Sequence, residues 1–303
     1  MNGKDLISIR DLERKDIEGL FSLAEKMEGE LGGERSPLKN RIIATLFFEP
    51  STRTRLSFQA AAQRLGASVI NFESVALTSM AKGETFVDTI KIVDGYADLL
   101  AIRHSLEGSV RLAANVAKHP VVNGGDGGNQ HPTQTLIDLY TIKKVKKRLD
   151  GLCVHLVGDL KYARTMRSLL YGLGMFGADV TLVSPKGLEM DKGVIEEAKT
   201  LFSMNIKQTH ELELKGADVA YVCRIQKERF ADPYEAEKLQ KEFKITEEQL
   251  KGVKDDLVIL HPLPKIDEID PAIDGSKHAA YFEQARLGVP MRMAIIMKLL
   301  GRA

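Results

Sequence analysis

Short apolar runs alternate with helical patterns along the whole chain, and this alternation limits the fold more than any other feature. Each run is typical of a buried strand, and the segments between runs place apolar residues at helical spacing. Strands joined through helices form parallel sheets. The sequence therefore predicts an α/β fold with parallel sheets flanked by helices. The predicted strands are 42–48, 68–72, 99–102, 121–122, 153–157, 180–184, 219–223 and 257–260.

The predicted helices fill most of the remaining chain, and the last one is interrupted. The tail, 278–300, has an apolar stripe that predicts one or two helices broken near 288–290, where Gly288 and Pro290 occur. The other predicted helices are 8–30, 53–65, 86–96, 107–117, 135–145, 165–173, 193–204, 233–242 and 246–253.

The chain has a natural boundary near its middle. At 303 residues it is long enough for two domains, each with its own core. The basic stretch 143–148 is followed by Asp150 and Gly151, after which the strand–helix alternation starts again. We therefore expect the first domain to end at residue 149 and the second to begin at residue 150.

One turn in the first half has the character of an anion-binding site. The strand 42–48 is stopped by Pro50, and Ser51 or Thr52 is a suitable N-cap for the helix that follows. Free N–H groups and the helix dipole favour an anion there, and Arg53 adds a positive charge. The alternative is an ordinary capped helix with surface arginines. Three hydroxyl residues and two arginines within 51–55 favour a phosphate or carboxylate site, although no G-x-x-x-x-G-K motif is present.

Polar residues follow most of the other predicted strands as well. In open α/β sheets, ligands bind beyond the carboxyl ends of the strands. A glycine-dense segment, 123–128, precedes one of these residues and predicts a loop with unusual dihedral angles or close approach to a ligand. Since the polar residues belong to both halves, we expect one site between the two domains. They are Ser51, Arg103, His131, Arg164, Arg224 and His261.

Composition excludes several classes of partner and location. The net charge of +1 gives no bulk attraction to nucleic acid or to anionic membranes. The N-terminus is polar without a signal peptide, and no apolar stretch approaches the ~18 residues of a membrane span. Cys153 and Cys223 are far apart in apolar runs, which predicts free thiols in a reducing compartment. We therefore expect a cytoplasmic protein that binds neither nucleic acid nor membrane.

Common cofactor and nucleophile motifs are missing. Two cysteines cannot complete a four-ligand zinc site, and no His, Cys or carboxylate cluster has metal-ligand spacing. The turn at 158–159 follows a strand but lacks the G-x-G-x-x-G pattern of a dinucleotide site, and no G-x-S-x-G elbow occurs. The sequence predicts no metal and no cofactor. An arginine-rich site with few acids suits group transfer between two anionic small molecules.

The polar motifs, taken together and in order, resemble those of the catalytic chains of aspartate carbamoyltransferases. The resemblance extends from the first helix to the last. The motifs that establish it are Ser51-Thr52-Arg53-Thr54-Arg55, Lys82-Gly83-Glu84, Arg103-His104, His131-Pro132-Thr133-Gln134, Lys161-Tyr162-Ala163-Arg164-Thr165, Arg224-Ile225-Gln226-Lys227-Glu228-Arg229 and His261-Pro262-Leu263-Pro264.

This resemblance implies a reaction and an assembly. Carbamoyl phosphate and L-aspartate would give N-carbamoyl-L-aspartate and phosphate, a step of pyrimidine biosynthesis. A carbamoyl phosphate domain, 1–149, would be rejoined by the C-terminal helix, about 286–303, and 150–285 would bind aspartate. The catalytic unit of the family is a homotrimer with sites shared between subunits. Short catalytic chains of this family often pair with a separate zinc-bearing regulatory chain.

The resemblance also assigns the groups that would hold carbamoyl phosphate. The phosphate would be bound at the turn of the first domain, and the carbamoyl oxygen would be polarised by Thr54, Arg103 and His131. The amide nitrogen would contact Gln134 and the backbone carbonyls of Pro262 and Leu263. Without the resemblance, His131 would be interpreted as a cap of the following helix. The phosphate-binding residues would be Ser51, Thr52, Arg53 and Thr54, and the catalytic set would be Arg53, Thr54, Lys82, Arg103 and His131.

The aspartate site would be formed by Arg164, Arg224 and Gln226, with Ser79 and Lys82 reaching the site from a neighbouring subunit.

Some positions next to these motif residues differ from the family pattern. Ala163 replaces a usual glycine, and Met166-Arg167 replaces a common Val-His pair. Arg167 is a second cation beside Arg164, and we expect Arg164 to be the aspartate ligand. For Arg229, a surface or interdomain salt bridge is at least as good an interpretation as a contact with the substrate.

Two other functions compete with this interpretation. Ornithine carbamoyltransferases share the fold and the phosphate motif, but they typically have a cysteine in the motifs that here contain His131 and His261. A dicarboxylate also suits Arg224 and Gln226 better than a cationic amine does. A non-catalytic homologue would be expected to lose one of Arg53, Arg103 or His131, and all are present.

Overall fold

The computed structural model describes residues 4–30, 36–72, 79–230 and 232–302. The chain divides into two compact units, the first formed by Met1–Ile137 with Leu287–Ala303 and the second by Asp138–Arg286. Each unit contains one parallel sheet with helices around it. The predicted α/β class with two parallel sheets is confirmed. The domain boundaries at 149/150 and near 286 stay predictions.

The first unit contains a four-stranded sheet in the order β2-β1-β3-β4, with every neighbouring pair parallel. Its central strands are buried over most of their length, so their buried parts are continuous apolar runs rather than alternating ones. The strands are β1 Ile42–Phe47, β2 Ser68–Asn71, β3 Leu99–His104 and β4 Val121–Asp126, and the helices are α1 Arg14–Gly29, α2 Thr52–Arg64, α3 Phe86–Asp94, α4 Ser109–Val116 and α5 Pro132–Lys146, the last of which continues into the second unit.

The second unit contains a five-stranded parallel sheet in the order β7-β6-β5-β8-β9. Among the helices of the described residues, none is long and apolar enough to cross a membrane. The strands are β5 Cys153–Val157, β6 Asp179–Val183, β7 Ile206–Thr209, β8 Val219–Val222 and β9 Val258–Leu260, and the helices are α6 Arg164–Gly174, α7 Lys192–Phe202, α8 Pro233–Glu242 and α9 Tyr281–Leu299, which continues into the first unit.

The predicted helix at 246–253 is wrong, because this segment forms a series of turns. The Thr246 hydroxyl accepts from the Glu248 N–H at 3.3 Å and donates to Gln249 at 2.6 Å, which is the local pattern of a helix start. No helix follows, since Gly252 is left-handed with φ +75° only six residues later. So short a segment does not offset the cost of helix nucleation.

The predicted break in the C-terminal helix is also wrong. Helix α9 runs without interruption from Tyr281 to Leu299 with Pro290 inside it. An internal proline costs a helix ~3 kcal/mol. Leu287 and Met291, on either side of the proline, are completely buried. We infer that burial of this apolar face offsets the cost of Pro290.

Strand β4 is longer than predicted, and strand β7 was not predicted at all. Strand β4 continues through Asn123, Gly124 and Gly125 to Asp126, where the glycine density predicted a loop. A side chain at Gly124 would have its Cβ 3.2 Å from the Ile102 carbonyl oxygen, so glycine allows close packing against β3. Strand β7 was not predicted, because it lies at the sheet edge and its inner positions, Lys207 and Gln208, are exposed.

Gly158, immediately after β5, provides a test of how closely the strand ends pack. It has φ +118°, and a Cβ there would lie 2.2 Å from the Cys223 carbonyl oxygen. We expect Gly158→Ala to lower the free energy of unfolding by more than ~2 kcal/mol, measured by urea denaturation. Gly19→Ala is the matched control, because Gly19 lies inside α1 with no atom near its missing Cβ. This control should leave stability unchanged or raise it by up to ~1 kcal/mol. Equal stability of the two variants would contradict the close approach.

Candidate active site

The turn between β1 and α2 has the geometry predicted for an anion site. Ser51 is the N-cap of α2, with φ −161° and ψ 89°, and its side chain makes no capping hydrogen bond. The first N–H groups of an α-helix have no partner within the helix, and the helix dipole adds partial positive charge there. Ser51 and the first turn of α2 therefore present several donors at the carboxyl edge of the first sheet.

Arg53 and Thr54 occupy the first turn of α2, with Arg53 exposed and Thr54 only 8% exposed. Partial burial nevertheless lowers the pKa of Arg53 below its ordinary value, although the guanidinium remains charged at neutral pH. Within the described residues, no acid pairs with Arg53. A cation beside unused N–H donors favours a bound anion over a structural salt bridge.

Arg103 lies next to this turn because β3 pairs directly with β1. Phe47 is the register partner of Arg103, and the Phe48 N–H donates to the Arg103 carbonyl at 2.8 Å. The guanidinium is mostly buried, contacts the Glu49 carboxylate at 2.6 Å and donates to the Gly124 carbonyl at 3.2 Å. Two partners, Glu49 in the turn after β1 and Gly124 in β4, therefore fix the orientation of Arg103. The sequence motifs did not predict the role of Glu49.

His131 is buried at the start of α5, and only 4% of its surface is exposed. Its backbone carbonyl accepts from the N–H groups of Gln134 and Thr135, so its main chain begins the helix. The ring Nδ1 lies 3.5 Å from the Thr133 hydroxyl. The interpretation of His131 as a helix cap therefore holds for its backbone. The burial of its ring is a separate observation, which capping does not require.

A buried aspartate that the sequence analysis missed organises the loop before His131. Asp126 ends β4 and accepts from the Gly108 and Gln130 N–H groups and from the side chains of Asn123 and Asn129, at 2.9 to 3.1 Å. The only available signal was an acid within the glycine-dense segment. These contacts fix the loop before α5. The main chain of His131, from which its ring extends, therefore has a defined position at the same sheet edge as Arg103.

Ser79 and Lys82 lie on a short 3-10 helix, Ser79–Lys82, and both are exposed. The preceding residues of the predicted polar segment, 73–78, lie outside the described residues. Within the described part of the chain, the ammonium of Lys82 has no acidic partner. An exposed lysine in this position is compatible with either solvation or a role in a neighbouring subunit.

Arg164 and Arg167 belong to the first turns of α6, beyond the carboxyl end of β5. Arg164 is the first residue of the helix and is half-buried. Arg167 donates to the Lys161 carbonyl at 2.9 Å and so stabilises the loop before the helix. This contact gives Arg167 a structural role in that loop.

Arg224 and Gln226 follow β8, and a buried aspartate connects their loop to the one after β5. Asp159 is completely buried and accepts from the Tyr162 N–H at 3.0 Å and the Gln226 N–H at 3.4 Å. Burial raises the pKa of Asp159, although these N–H donors oppose the shift. Because the Asp159 carboxylate accepts from both loops, it fixes the position of the loop before Arg164 relative to the loop that contains Arg224 and Gln226.

Arg229 contacts this same loop. Its Nε donates to the Gln226 side-chain oxygen at 3.2 Å, and its guanidinium lies 4.8 Å from the centre of the Tyr162 ring. These contacts orient the Gln226 amide. Neither interpretation of Arg229 from sequence, a salt bridge or a substrate contact, included this stacking.

Pro262 and Leu263 follow β9 at the same edge of the second sheet. Leu263 is left-handed with φ +55°, a conformation that is unfavourable for a residue with a side chain. Its N–H donates to the ring Nδ1 of His261 at 2.8 Å. The two backbone carbonyls are therefore presented by a segment with a defined, unusual conformation.

Apart from Ser79 and Lys82, the predicted residues fall into two groups, one at the carboxyl edge of each sheet. The edge of the first sheet has hydroxyls, two arginines and a histidine, and the edge of the second has arginines, an amide and two backbone carbonyls. Over the described ranges, no three His, Cys, Asp or Glu side chains could hold a metal ion. One active site between the domains stays a prediction. The first group is Ser51, Thr52, Arg53, Thr54, Arg103, His131 and Gln134, and the second is Arg164, Arg224, Gln226, Pro262 and Leu263.

Comparison with known families covers both halves of the chain. Residues 4–144 match the model of the aspartate/ornithine carbamoyltransferase carbamoyl-P binding domain. Residues 150–299 match the model of the aspartate/ornithine carbamoyltransferase Asp/Orn binding domain.

Curated relatives and solved structures are similar over nearly the whole chain. The aspartate carbamoyltransferase catalytic subunit of Thermococcus kodakarensis is 50% identical, with 99% of this chain and 97% of the relative aligned. The one from Archaeoglobus fulgidus is 48% identical, with 98% and 99% aligned. The solved catalytic subunit of M. jannaschii aspartate transcarbamoylase has a TM-score of 0.91 at 45% identity, covering 99% and 98% of the two chains. The Trypanosoma cruzi enzyme in complex with carbamoyl phosphate has a TM-score of 0.92 at 39% identity, covering 97% and 95%.

Proposed function

The chain belongs to the aspartate/ornithine carbamoyltransferase family, and we propose that it transfers the carbamoyl group of carbamoyl phosphate to the amine of L-aspartate. The products are N-carbamoyl-L-aspartate and phosphate, and the step belongs to pyrimidine biosynthesis. The main support is that two arginine-bearing loops, one with Arg164 and one with Arg224, are held together by Asp159. Two such cations suit a ligand with two carboxylates.

The turn after β1 binds the phosphate of the donor. The free N–H groups at the start of α2 and the hydroxyls of Ser51, Thr52 and Thr54 orient the phosphate oxygens. Arg53 neutralises their charge, and its lack of an acidic partner within the described residues supports this role.

Arg103, Thr54 and His131 polarise the carbamoyl carbonyl. Attack on this carbon moves negative charge onto its oxygen, and donors fixed beforehand stabilise that charge. One donor of this kind contributes ~3–4 kcal/mol. The buried contact of Arg103 with Glu49 supports a fixed orientation. Gln134 and the carbonyls of Pro262 and Leu263 hold the carbamoyl nitrogen.

Aspartate is bound by Arg164, Arg224 and Gln226, and its neutral amine is the nucleophile. The amine nitrogen forms a bond with the carbamoyl carbon, and the bond from that carbon to the phosphate oxygen breaks. The amine loses a proton, and the departing phosphate is the acceptor, since none of the described residues assigned to the site is a general base. Carbamoyl phosphate binds first, and positioning and electrostatics provide most of the rate enhancement.

The active form is a homotrimer in which Ser79 and Lys82 act in the site of a neighbouring subunit. The exposure of both residues, and the lack of an acidic partner for Lys82 within the described part of the chain, support this role. Its curated relatives are named catalytic subunits, which supports a separate regulatory chain as partner. We place the enzyme in the cytoplasm because its two cysteines are free thiols.

A steady-state assay tests this function. Phosphate release from carbamoyl phosphate should depend on L-aspartate and match the N-carbamoyl-L-aspartate formed. N-(phosphonacetyl)-L-aspartate, which is bound in one structure of the T. cruzi enzyme, should compete with carbamoyl phosphate. Phosphate release that is independent of aspartate would contradict the function.

A further inference from the structure

A chain of buried polar side chains ends at the segment that presents Pro262 and Leu263. The His261 N–H donates to the Gln284 side-chain oxygen at 2.9 Å, and the Gln284 amide donates to Asp138 at 2.6 Å. Gln284 is 1% exposed and Asp138 is completely buried. The backbone at the end of β9 is therefore attached to α9 and α5 through groups shielded from water.

The ring of His261 bridges two further groups. Its Nδ1 accepts from the Leu263 N–H at 2.8 Å, and its Nε2 lies 2.7 Å from the Glu268 carboxylate. The side chains of His261 and Glu268 are 1% and 7% exposed. Because Nδ1 accepts a hydrogen bond, it has no proton, so the neutral ring has its proton on Nε2, facing the carboxylate.

Glu268 is itself held by the backbone. Its carboxylate accepts from the Ile266 N–H at 3.2 Å and the Asp267 N–H at 3.1 Å. Burial alone would raise the pKa of Glu268, but the contact with His261 and these N–H donors outweigh burial and lower it. The ionised carboxylate is thus a fixed acceptor that keeps the His261 ring in one orientation.

The backbone conformation of Leu263 depends on the His261 ring. A left-handed conformation costs a residue with a side chain free energy, so it persists where surrounding contacts hold it. Within the described residues, the hydrogen bond to His261 Nδ1 restrains the peptide N–H of Leu263 directly. The direction of the Leu263 carbonyl is coupled to that of its own N–H through the same backbone dihedral angles.

We propose that His261, oriented by Glu268, is a positioning residue that sets the direction of the Leu263 carbonyl toward the substrate nitrogen. This inference rests on the proposed function, in which that carbonyl accepts from the carbamoyl amide. His261 does not touch the substrate and acts through the peptide of Leu263. The alternative is that His261 and Glu268 only stabilise the core.

Two substitutions separate these roles. In His261→Asn the side-chain oxygen takes the place of Nδ1, so it still accepts from Leu263 but no longer reaches Glu268. In His261→Gln the amide takes the place of Nε2, so it reaches Glu268 but leaves the Leu263 N–H without its acceptor. Both lose part of the buried network, so each is a stability control for the other.

The measurements are kcat per folded chain, KM for both substrates and the melting temperature. We expect His261→Gln to lower kcat about tenfold, the equivalent of one lost hydrogen bond, while His261→Asn stays within about threefold of the wild type. KM for L-aspartate should be unchanged in both, because Arg164 and Arg224 are not altered. Equal kcat values in the two variants, at any level, would overturn the proposal.

Glu268→Gln gives an independent test if a His261 variant does not fold. It removes the charge that fixes the ring but leaves the Leu263 contact in place, so kcat should fall about two- to threefold with KM for L-aspartate unchanged. Wild-type kcat in this variant would overturn the proposal. A wild-type enzyme that forms no N-carbamoyl-L-aspartate would instead overturn the proposed function, so the two failures are distinct.

Discussion

Replacement of Arg53 by alanine is expected to lower kcat/KM for carbamoyl phosphate at least ~100-fold, the loss seen when one preorganised charge-stabilising donor is removed. Arg53 is the cation in the first turn of α2, and its charge is not neutralised by an acid within the described residues. Its loss removes both the neutralisation of the phosphate and the orientation of the donor. Steady-state kinetics with varied carbamoyl phosphate measure this effect.

Arg64→Ala is the matched control for Arg53→Ala. Arg64 is an exposed arginine in the last turn of the same helix, at the end opposite the anion-binding turn. Its removal changes net charge equally and should leave kcat/KM within about twofold of the wild type, since surface substitutions have small effects. Wild-type turnover in Arg53→Ala would show that the phosphate is bound elsewhere.

Replacement of Arg224 by lysine is expected to raise KM for L-aspartate about 10- to 100-fold while KM for carbamoyl phosphate stays constant. Lysine keeps the positive charge but loses the planar fork that binds a carboxylate with two parallel hydrogen bonds. A hydrogen bond to a charged group contributes ~1.5–3 kcal/mol, which corresponds to this range. Initial rates at saturating carbamoyl phosphate measure the effect.

Arg148→Lys is the matched control for Arg224→Lys, because Arg148 is another arginine of the second unit. Arg148 is exposed and donates to the carbonyls of Asp150 and Gly151, away from the loops after β5 and β8. It should leave both KM values unchanged. If Arg224→Lys behaved like this control, Arg224 would not be a ligand for a substrate carboxylate.

The first half of the candidate site was predictable because its signals are local. A buried strand, a proline, an N-cap and an arginine follow one another within a few residues, and β1 and α2 form where this pattern places them. The contact of Arg103 with Glu49 was not predictable from its motif, since it depends on β3 pairing with β1 in the register Phe47 to Arg103.

The groups that the sequence analysis missed are buried acids. Asp126, Asp159 and Glu268 each accept backbone N–H groups from segments beyond the end of a strand. A lone acid after a strand resembles any turn residue, because its burial depends on which loops pack around it. Their positions required the folded backbone.

Errors in the predicted elements also arose from tertiary context. Segment 246–253 has a helix start signal but too little chain before Gly252, and α9 continues through Pro290 because buried residues surround it. Local propensity correctly predicted the α/β class, whereas packing decided these boundaries.

The most direct test of the proposed function is a competition between acceptors for a labelled donor. The wild-type enzyme is mixed with ¹³C-carbamoyl phosphate and equal concentrations of L-aspartate and L-ornithine, and the products are identified by ¹³C NMR. A sample without enzyme corrects for spontaneous breakdown of the donor. We expect the enzyme-dependent label in N-carbamoyl-L-aspartate, with one phosphate released per product formed. Enzyme-dependent label in citrulline, or in neither product, would contradict carbamoyl transfer to aspartate.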